Sequence, residues 1–295
     1  MGRHRRISRL PRTTLASRAA LAAGALVPTI ASVGSAHAAT PQSAICTSDE
    51  PGLADKLSAD INSALEGSTA TTAISLHDRT TNTTCTLDAD RAFDSASTVK
   101  VTVLATLLWD AQKDDRALTQ EEKDRATAMI TQSDNDATTA LWRQLGVAKV
   151  NGFMRAAGMS DTVLDGEGHW GLTQITANDE ERLLNLVTHA NPVLSEDSRG
   201  YILKLTSEVI PSQRWGTPAG APGDARVHVK NGWLERATNG WRVHSLGAFT
   251  GGDHDYTITV LSQDNATMDD GIANIEGIAR AVHQDLNPPA PSARP

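Results

Sequence analysis

The chain has 295 residues, 39% of them hydrophobic and 4% aromatic, and its 27 Lys and Arg face 35 Asp and Glu for a net charge of −8. That apolar content supports one large domain or two small ones with a real core, and excludes a chain disordered throughout. The first 38 residues hold six Arg and no acid, leaving a remainder with a net charge of about −14; this argues against nonspecific nucleic-acid binding and for small or cationic partners.

Arg3, Arg5, Arg6, Arg9 and Arg12 precede a short apolar stretch over 21–33, and Ala36-His37-Ala38 places small residues before a cut. This pattern reads as an export signal over residues 1–38, cleaved after Ala38. The ordinary secretory route is preferred to the twin-arginine one, because the residues after Arg5-Arg6 fit that signal loosely. No later segment has the apolar length to insert in a membrane, and no Cys stands at the cut to accept a lipid. The expected product is therefore secreted, released and monomeric. Cys46 and Cys85 are the only cysteines. An even pair in an oxidising compartment favours a disulfide, expected to tie the N-terminal helix region to an early strand.

Residues 39–49 read as a flexible lead-in, 50–287 as a single domain, and 288–295, with four prolines, as a loose tail. Leu53, Leu57, Ile61 and Leu65 recur at helical spacing up to Gly67. Residues 72–77 alternate as a strand, 78–83 are polar turn material, and 84–87 return beside the strand. The run 99–108 is apolar on nearly every side; its β-branched residues permit a strand, but its length and polar start favour a buried central helix. Thr119 with Glu122 has capping-box spacing, and Thr176 with Asp179 gives a weaker acidic version. Short helices are expected over 134–145, 147–157 and 196–209, bounded by Gly146, Gly158 and Pro211. Strands over 226–229, 241–249 and 256–261 and a helix over 269–283 follow. This order predicts an α/β chain of the α+β kind. An antiparallel sheet of about five strands is built from both chain ends, with a helical subdomain over about 98–210 inserted and a cleft between the two parts.

Three short motifs occur in order: Ser97-Thr98-Val99-Lys100, Ser133-Asp134-Asn135 and Lys230-Asn231-Gly232. Each is weak alone, and the ordered set is specific. Ser97 and Lys100, three positions apart at a helix start, share a face, so the amine can approach the hydroxyl while nearby backbone N–H groups stay free for an oxyanion. Such a Lys must lose its proton, which burial and a nearby positive charge such as Lys230 favour. Ser133 can pass a proton to a leaving atom. Asn135 can donate to a substrate amide carbonyl and orient Lys100, and Lys230 can attract a substrate carboxylate.

The ordered set resembles the active site shared by class A serine β-lactamases and penicillin-binding proteins. The resemblance spans most of the mature chain. It implies a β-lactamase/transpeptidase-like fold and acylation of a serine by a β-lactam or a D-alanyl peptide. Carried over by position, Ser97 is the nucleophile, Lys100 its base, and Ser133 and Asn135 the second wall. Asn231, Gly232 and Trp233 would line the substrate, with the N–H groups of Ser97 and Trp233 as the oxyanion hole.

Four departures qualify it. Asn231 stands where the family usually has Thr or Ser, losing a hydroxyl for the substrate carboxylate. Trp233 is large where many relatives are small. Only 36 positions separate Ser97 from Ser133, so the helical region is expected to lack a loop that lines class A clefts. The Glu-x-x-Leu-Asn loop that serves deacylation is absent; in its region Asp165-Gly166-Glu167-Gly168-His169-Trp170-Gly171 offers Glu167 and His169, as a water-activating base or as solvated loop groups.

The bland readings leave His169, His228, His244 and His254 as exposed or structurally bonded residues with no metal-ligand spacing. The acid-rich stretch 264–270 becomes a helix start, and Arg214-Trp215-Gly216 a cleft border or a core turn. A secreted serine hydrolase without metal or organic cofactor is the leading expectation, acting on a small-molecule β-lactam or related amide. The alternatives are a D,D-peptidase or amide/ester hydrolase with weak β-lactam turnover, and a noncatalytic binder whose Ser97 never becomes acylated.

Overall fold

The computed structural model describes residues 43–288, so the expected export signal and nearly all of the proline-rich tail lie outside the described residues. The strands are β1 (Ile45–Thr47), β2 (Thr71–Asp78), β3 (Thr83–Leu87), β4 (Phe93–Asp94), β5 (Gln174–Ile175), β6 (Arg226–Glu235), β7 (Trp241–Gly251) and β8 (His254–Asn265). The helices are α1 (Leu53–Ala64), α2 (Val99–Lys113), α3 (Gln120–Thr131), α4 (Asn135–Ala156), α5 (Ala177–Thr188), α6 (Glu196–Ser207) and α7 (Met268–Leu286). Six strands form an antiparallel sheet in the order β1-β3-β2-β8-β7-β6, and β4 pairs with β5. The sheet is thus built from both chain ends, with helices α2 to α6 between them in sequence.

Alternation along the central strand creates two cores. Ile258 and Val260 of β8 face Leu57 and Ile61 of α1 and Ile275, Ile278 and Val282 of α7, whereas Leu261 joins the core formed by the inserted helices. Helix α2 is buried at twelve of its fifteen positions, so burial on all sides overrides the weak helix preference of Val99, Val101, Thr102 and Val103. The Thr119–Glu122 capping box forms in both directions. Thr176 caps α5 in one direction only, because the Asp179 carboxylate turns away to accept from the Asp161 N–H at 2.9 Å and the Thr162 hydroxyl at 2.8 Å. Helix α4 breaks at Gly146, whose φ of 71° and ψ of 159° separate two helical segments.

Three expectations are corrected. The sheet has six strands, not about five, because Ile45–Thr47 is an edge strand paired with β3, not flexible lead-in. Such a short strand carries no periodicity; it is held by the Ala44 N–H donating to Asn62 Oδ1 at 2.8 Å and the Cys46 N–H donating to Ser58 Oγ at 3.2 Å. The Cys46–Cys85 disulfide forms, but it joins directly opposed residues of β1 and β3 rather than a helix region to a strand. Lastly, β6 continues through Asn231-Gly232 to Glu235, because pairing of Lys230 with Leu246 and Gly232 with His244 extends the ladder beyond the expected end at 229.

Candidate active site

Ser97 lies in a single 3₁₀ turn, Ala96–Thr98, that feeds directly into α2. The Thr98 hydroxyl and N–H both donate to the Ser95 carbonyl, at 2.7 and 3.2 Å, and the Ser95 N–H donates to the Thr173 carbonyl at 2.8 Å. Ala96 takes a left-handed φ of 48°, a conformation that costs a residue with a Cβ about 1 kcal/mol and marks a turn held by its surroundings. Gly232 is what lets β6 approach that turn: a Cβ there would lie 2.8 Å from the Ser97 nitrogen and 2.9 Å from the Thr98 nitrogen.

The second wall follows from the turn before α4. Ser133 has a left-handed φ of 59°, and Asp134 is the N-cap, accepting from the Ala137 N–H at 2.7 Å. Asn135 then begins the helix. This turn meets Lys100, fully buried in the first turn of α2, whose Nζ donates to the Ser133 carbonyl at 2.6 Å and to Asn135 Oδ1 at 2.8 Å. Lys100 Nζ is also 3.1 Å from Ser133 Oγ, and Lys230 Nζ reaches the same oxygen at 3.0 Å while donating to the Asn231 carbonyl at 2.8 Å. One hydroxyl therefore stands between two amines, so it can donate to whichever is neutral.

Burial pushes Lys100 down to about 7, against the pull of the Asp134 carboxylate. Lys230 is also held well below its ordinary value, first by burial and then by the charge of Lys100. The expectation assigned Lys230 a part in lowering Lys100; in the structure burial is the dominant cause for both amines, and their shared position around Ser133 disfavours both being charged at once. Lys100 bonds Ser133 and Asn135 rather than Ser97 Oγ, so the four groups meet without the direct Ser97–Lys100 bond.

A cleft of about 370 Å³ opens beside Ser97, with Asn135, His169, Trp170, Leu172 and Trp233 among its lining. Asn231 points elsewhere: its amide donates to the Gln213 carbonyl at 2.9 Å and the Trp215 carbonyl at 2.8 Å, fixing the segment beneath β6. Trp233 rests against Trp215 with ring centroids 5.9 Å apart, so Trp215 is a partner of the cleft wall. Glu167 lies outside this cleft with its side chain 84% exposed, 3.8 Å from His169, which pairs with Asp165 at 3.0 Å. His228 bonds Leu203 and Thr250, and His254 bonds Asp224.

Sequence reasoning gave no site role to Trp170 or Asp94, and read His244 only as an exposed or structurally bonded residue. Trp170, treated only as a neighbour of Glu167 and His169, places its ring 4.9 Å from Lys100 Nζ. Asp94, just before the Ser97 turn, accepts from Gln174 Nε2 at 2.7 Å and lies 3.0 Å from Arg242 Nε and 3.4 Å from Arg236. His244 donates from Nε2 to the Asp94 carbonyl at 2.8 Å while Nδ1 accepts from the Ser262 N–H at 3.1 Å. Burial lowers His244 to about 4, which keeps the ring neutral and suited to that donor–acceptor role. Asp94 meets Arg242 and His244, and Trp170 meets Lys100 and Ser95, through residues whose spacing along the chain carries no motif.

No curated protein matches the chain. Among solved structures it is similar to a representative class A β-lactamase from Bacteroides cellulosilyticus, with 19% identity, a TM-score of 0.68, and coverage of 79% of this chain and 98% of that one. It is similar to a β-lactamase from Sphaerobacter thermophilus, with 20% identity, a TM-score of 0.66, and coverage of 80% and 99%. The TLA-3 extended-spectrum β-lactamase gives 17% identity, a TM-score of 0.70, and coverage of 79% and 98%. These likenesses establish the β-lactamase/transpeptidase fold. The sequence profile described as the β-lactamase enzyme family matches residues 56–123 and 121–286, nearly all of the described domain, and the chain belongs to that family.

Proposed function

We propose that this chain is a secreted serine hydrolase that works through an acyl-enzyme on Ser97, taking a β-lactam or a related amide. The observation that carries this reading is the position of Ser133 Oγ within hydrogen-bond distance of both Lys100 and Lys230, beside the cleft that holds Ser97. Neutral Lys100, turned from Ser133 to Ser97, takes the Ser97 proton as Oγ bonds to the substrate carbonyl carbon. The amide C–N bond then breaks, and the proton passes through Ser133 to the leaving nitrogen. The N–H groups of Ser97 and Trp233 receive the oxyanion, and the Asn135 amide holds a substrate carbonyl. Lys230 keeps Ser133 in place and adds positive potential to that wall. These steps use no metal or organic cofactor.

The placement of Glu167 favours a second reading within the same chemistry. With that carboxylate outside the cleft and an aromatic ring over Lys100, β-lactams acylate Ser97 but clear slowly, as in a D,D-peptidase or penicillin-binding enzyme. The test is an intact-mass time course of the mature protein with a penicillin and a chromogenic cephalosporin, beside S97A. A Ser97-dependent adduct that clears with product supports the lactamase reading, and one that outlasts product formation supports the second. No adduct, with ligand binding unaltered in S97A, overturns both in favour of a noncatalytic binder.

A further inference from the structure

We infer that Trp170 decides how long an acyl group stays on Ser97, by shielding the Lys100 side of the ester from water. This rests on the acyl-enzyme reading above and adds the residue that governs its lifetime.

The ring is fixed from two sides. Trp170 Nε1 donates to Thr139 Oγ1 of α4 at 3.2 Å, and the Trp170 carbonyl accepts from Ser95 Oγ, in the nucleophile turn, at 3.3 Å. Its face is thereby held 4.9 Å from Lys100 Nζ, within the range where an aromatic ring attracts an ammonium group. The ring also forms part of the cleft lining beside Ser97. An indole in this position fills space with apolar surface where a hydrolytic water would need polar partners.

Hydrolysis of the acyl-enzyme needs such a water and a base. The water oxygen bonds to the acyl carbon, the bond to Ser97 Oγ breaks, one water proton passes to the base and on to Ser97 Oγ, and the acyl group leaves as a carboxylic acid. Of the described residues lining the cleft, the one imidazole is that of His169, which is exposed and paired with Asp165. The other base within the site is Lys100 in its neutral form. Burial, the larger effect, favours that neutral form against the Asp134 carboxylate before α4, and Lys230 of β6 lies across Ser133 from it. Removing the ring therefore opens room for water beside the ester and this amine.

The experiment follows adduct formation and adduct decay separately, by intact mass, for the full mature protein with a penicillin across a pH series. The variants are W170A, W170F and T139V; T139V removes the acceptor that pins the ring and keeps the side chain's volume. In W170A the ratio of the deacylation rate to the acylation rate is expected to rise at least about tenfold, a fraction of what a positioned acid–base group contributes. T139V moves the ratio in the same direction by less, and W170F, which retains a ring, stays near the parent. An unchanged ratio in both W170A and T139V overturns the inference while leaving the acyl-enzyme reading intact. If neither penicillin nor a fluorophosphonate modifies Ser97 in the parent protein, the acyl-enzyme reading falls and takes this inference with it.

Discussion

Gly232 and Ser97 are packed so closely that a Cβ on Gly232 would stand 2.8 Å from the Ser97 backbone nitrogen. The clash would be with backbone, 2.9 Å from the Thr98 nitrogen and 3.1 Å from the Ser95 carbonyl as well, so no side-chain rotation relieves it. Gly232→Ala must push β6 away from the nucleophile turn. The expected cost is about 1–3 kcal/mol in stability. A shift near 1 Å at the reacting groups is expected to slow Ser97 acylation by about 100-fold. Urea unfolding and adduct-formation rates measure the two effects; a variant that acylates at the parent rate would show that β6 and the turn need not touch.

The pH dependence of acylation follows from the direction of the Lys100 shift. Burial lowers this amine to about 7, and in the proposed mechanism the neutral form accepts the Ser97 proton. The acylation rate is therefore expected to rise about tenfold per pH unit below that value and to level off above it. Falling rates between pH 6 and 8, or a flat profile, would remove Lys100 from the role of base.

The disulfide supplies a prediction about the sheet rather than the chemistry. Cys46 and Cys85 are 39 positions apart, and closing a loop of that size restricts the unfolded chain enough to contribute about 3 to 4 kcal/mol. C46S/C85S is expected to lose stability on that scale in urea unfolding. The lesion lies at the far edge of the sheet, since β1 and β6 occupy opposite ends of the strand order, so the folded fraction should acylate Ser97 at the parent rate. A loss below about 1 kcal/mol would mean that the reduced chain already keeps β1 near β3.

What was legible in the sequence was whatever repeats locally. The stripe Leu53, Leu57, Ile61 and Leu65 marks α1, Thr119 with Glu122 marks the start of α3, and the spacing of Ser97 from Lys100 spans the 3₁₀ turn and its passage into α2. The three motifs were legible because each is a local backbone device: a 3₁₀ turn, an Asp134-capped helix start, and a strand whose Gly232 permits close approach. The edge strand Ile45–Thr47 and the pair β4–β5 were not, since two or three residues show no period and are held by partners far along the chain. The same holds for Trp170 and Asp94, and for which partners hold His244, read from the sequence only as exposed or structurally bonded. Asn231 shows a different limit: its position in the third motif implied a place beside the substrate, and only the fold reveals that its donors hold Gln213 and Trp215.

Asp94 should then matter more than its place outside the motifs suggests. Its carboxylate lies 3.0 Å from Arg242 Nε and 2.7 Å from Gln174 Nε2, and its carbonyl accepts from His244 at 2.8 Å. The next three residues are Ser95, Ala96 and Ser97, so these bonds fix the strand from which the nucleophile turn departs. D94A leaves the Arg242 guanidinium, whose side chain is 6% exposed, without its carboxylate; breaking a buried pair from one side costs about 3–5 kcal/mol. D94N keeps an acceptor for Gln174 and the backbone bond to His244, and should lose less. If Asp94 serves only stability, the folded fraction of D94N will acylate Ser97 at the parent rate. If it positions the turn, as its location three residues before Ser97 implies, D94N is expected to lower kcat several-fold with KM little changed. An adduct-formation assay below the melting range of D94N decides between them.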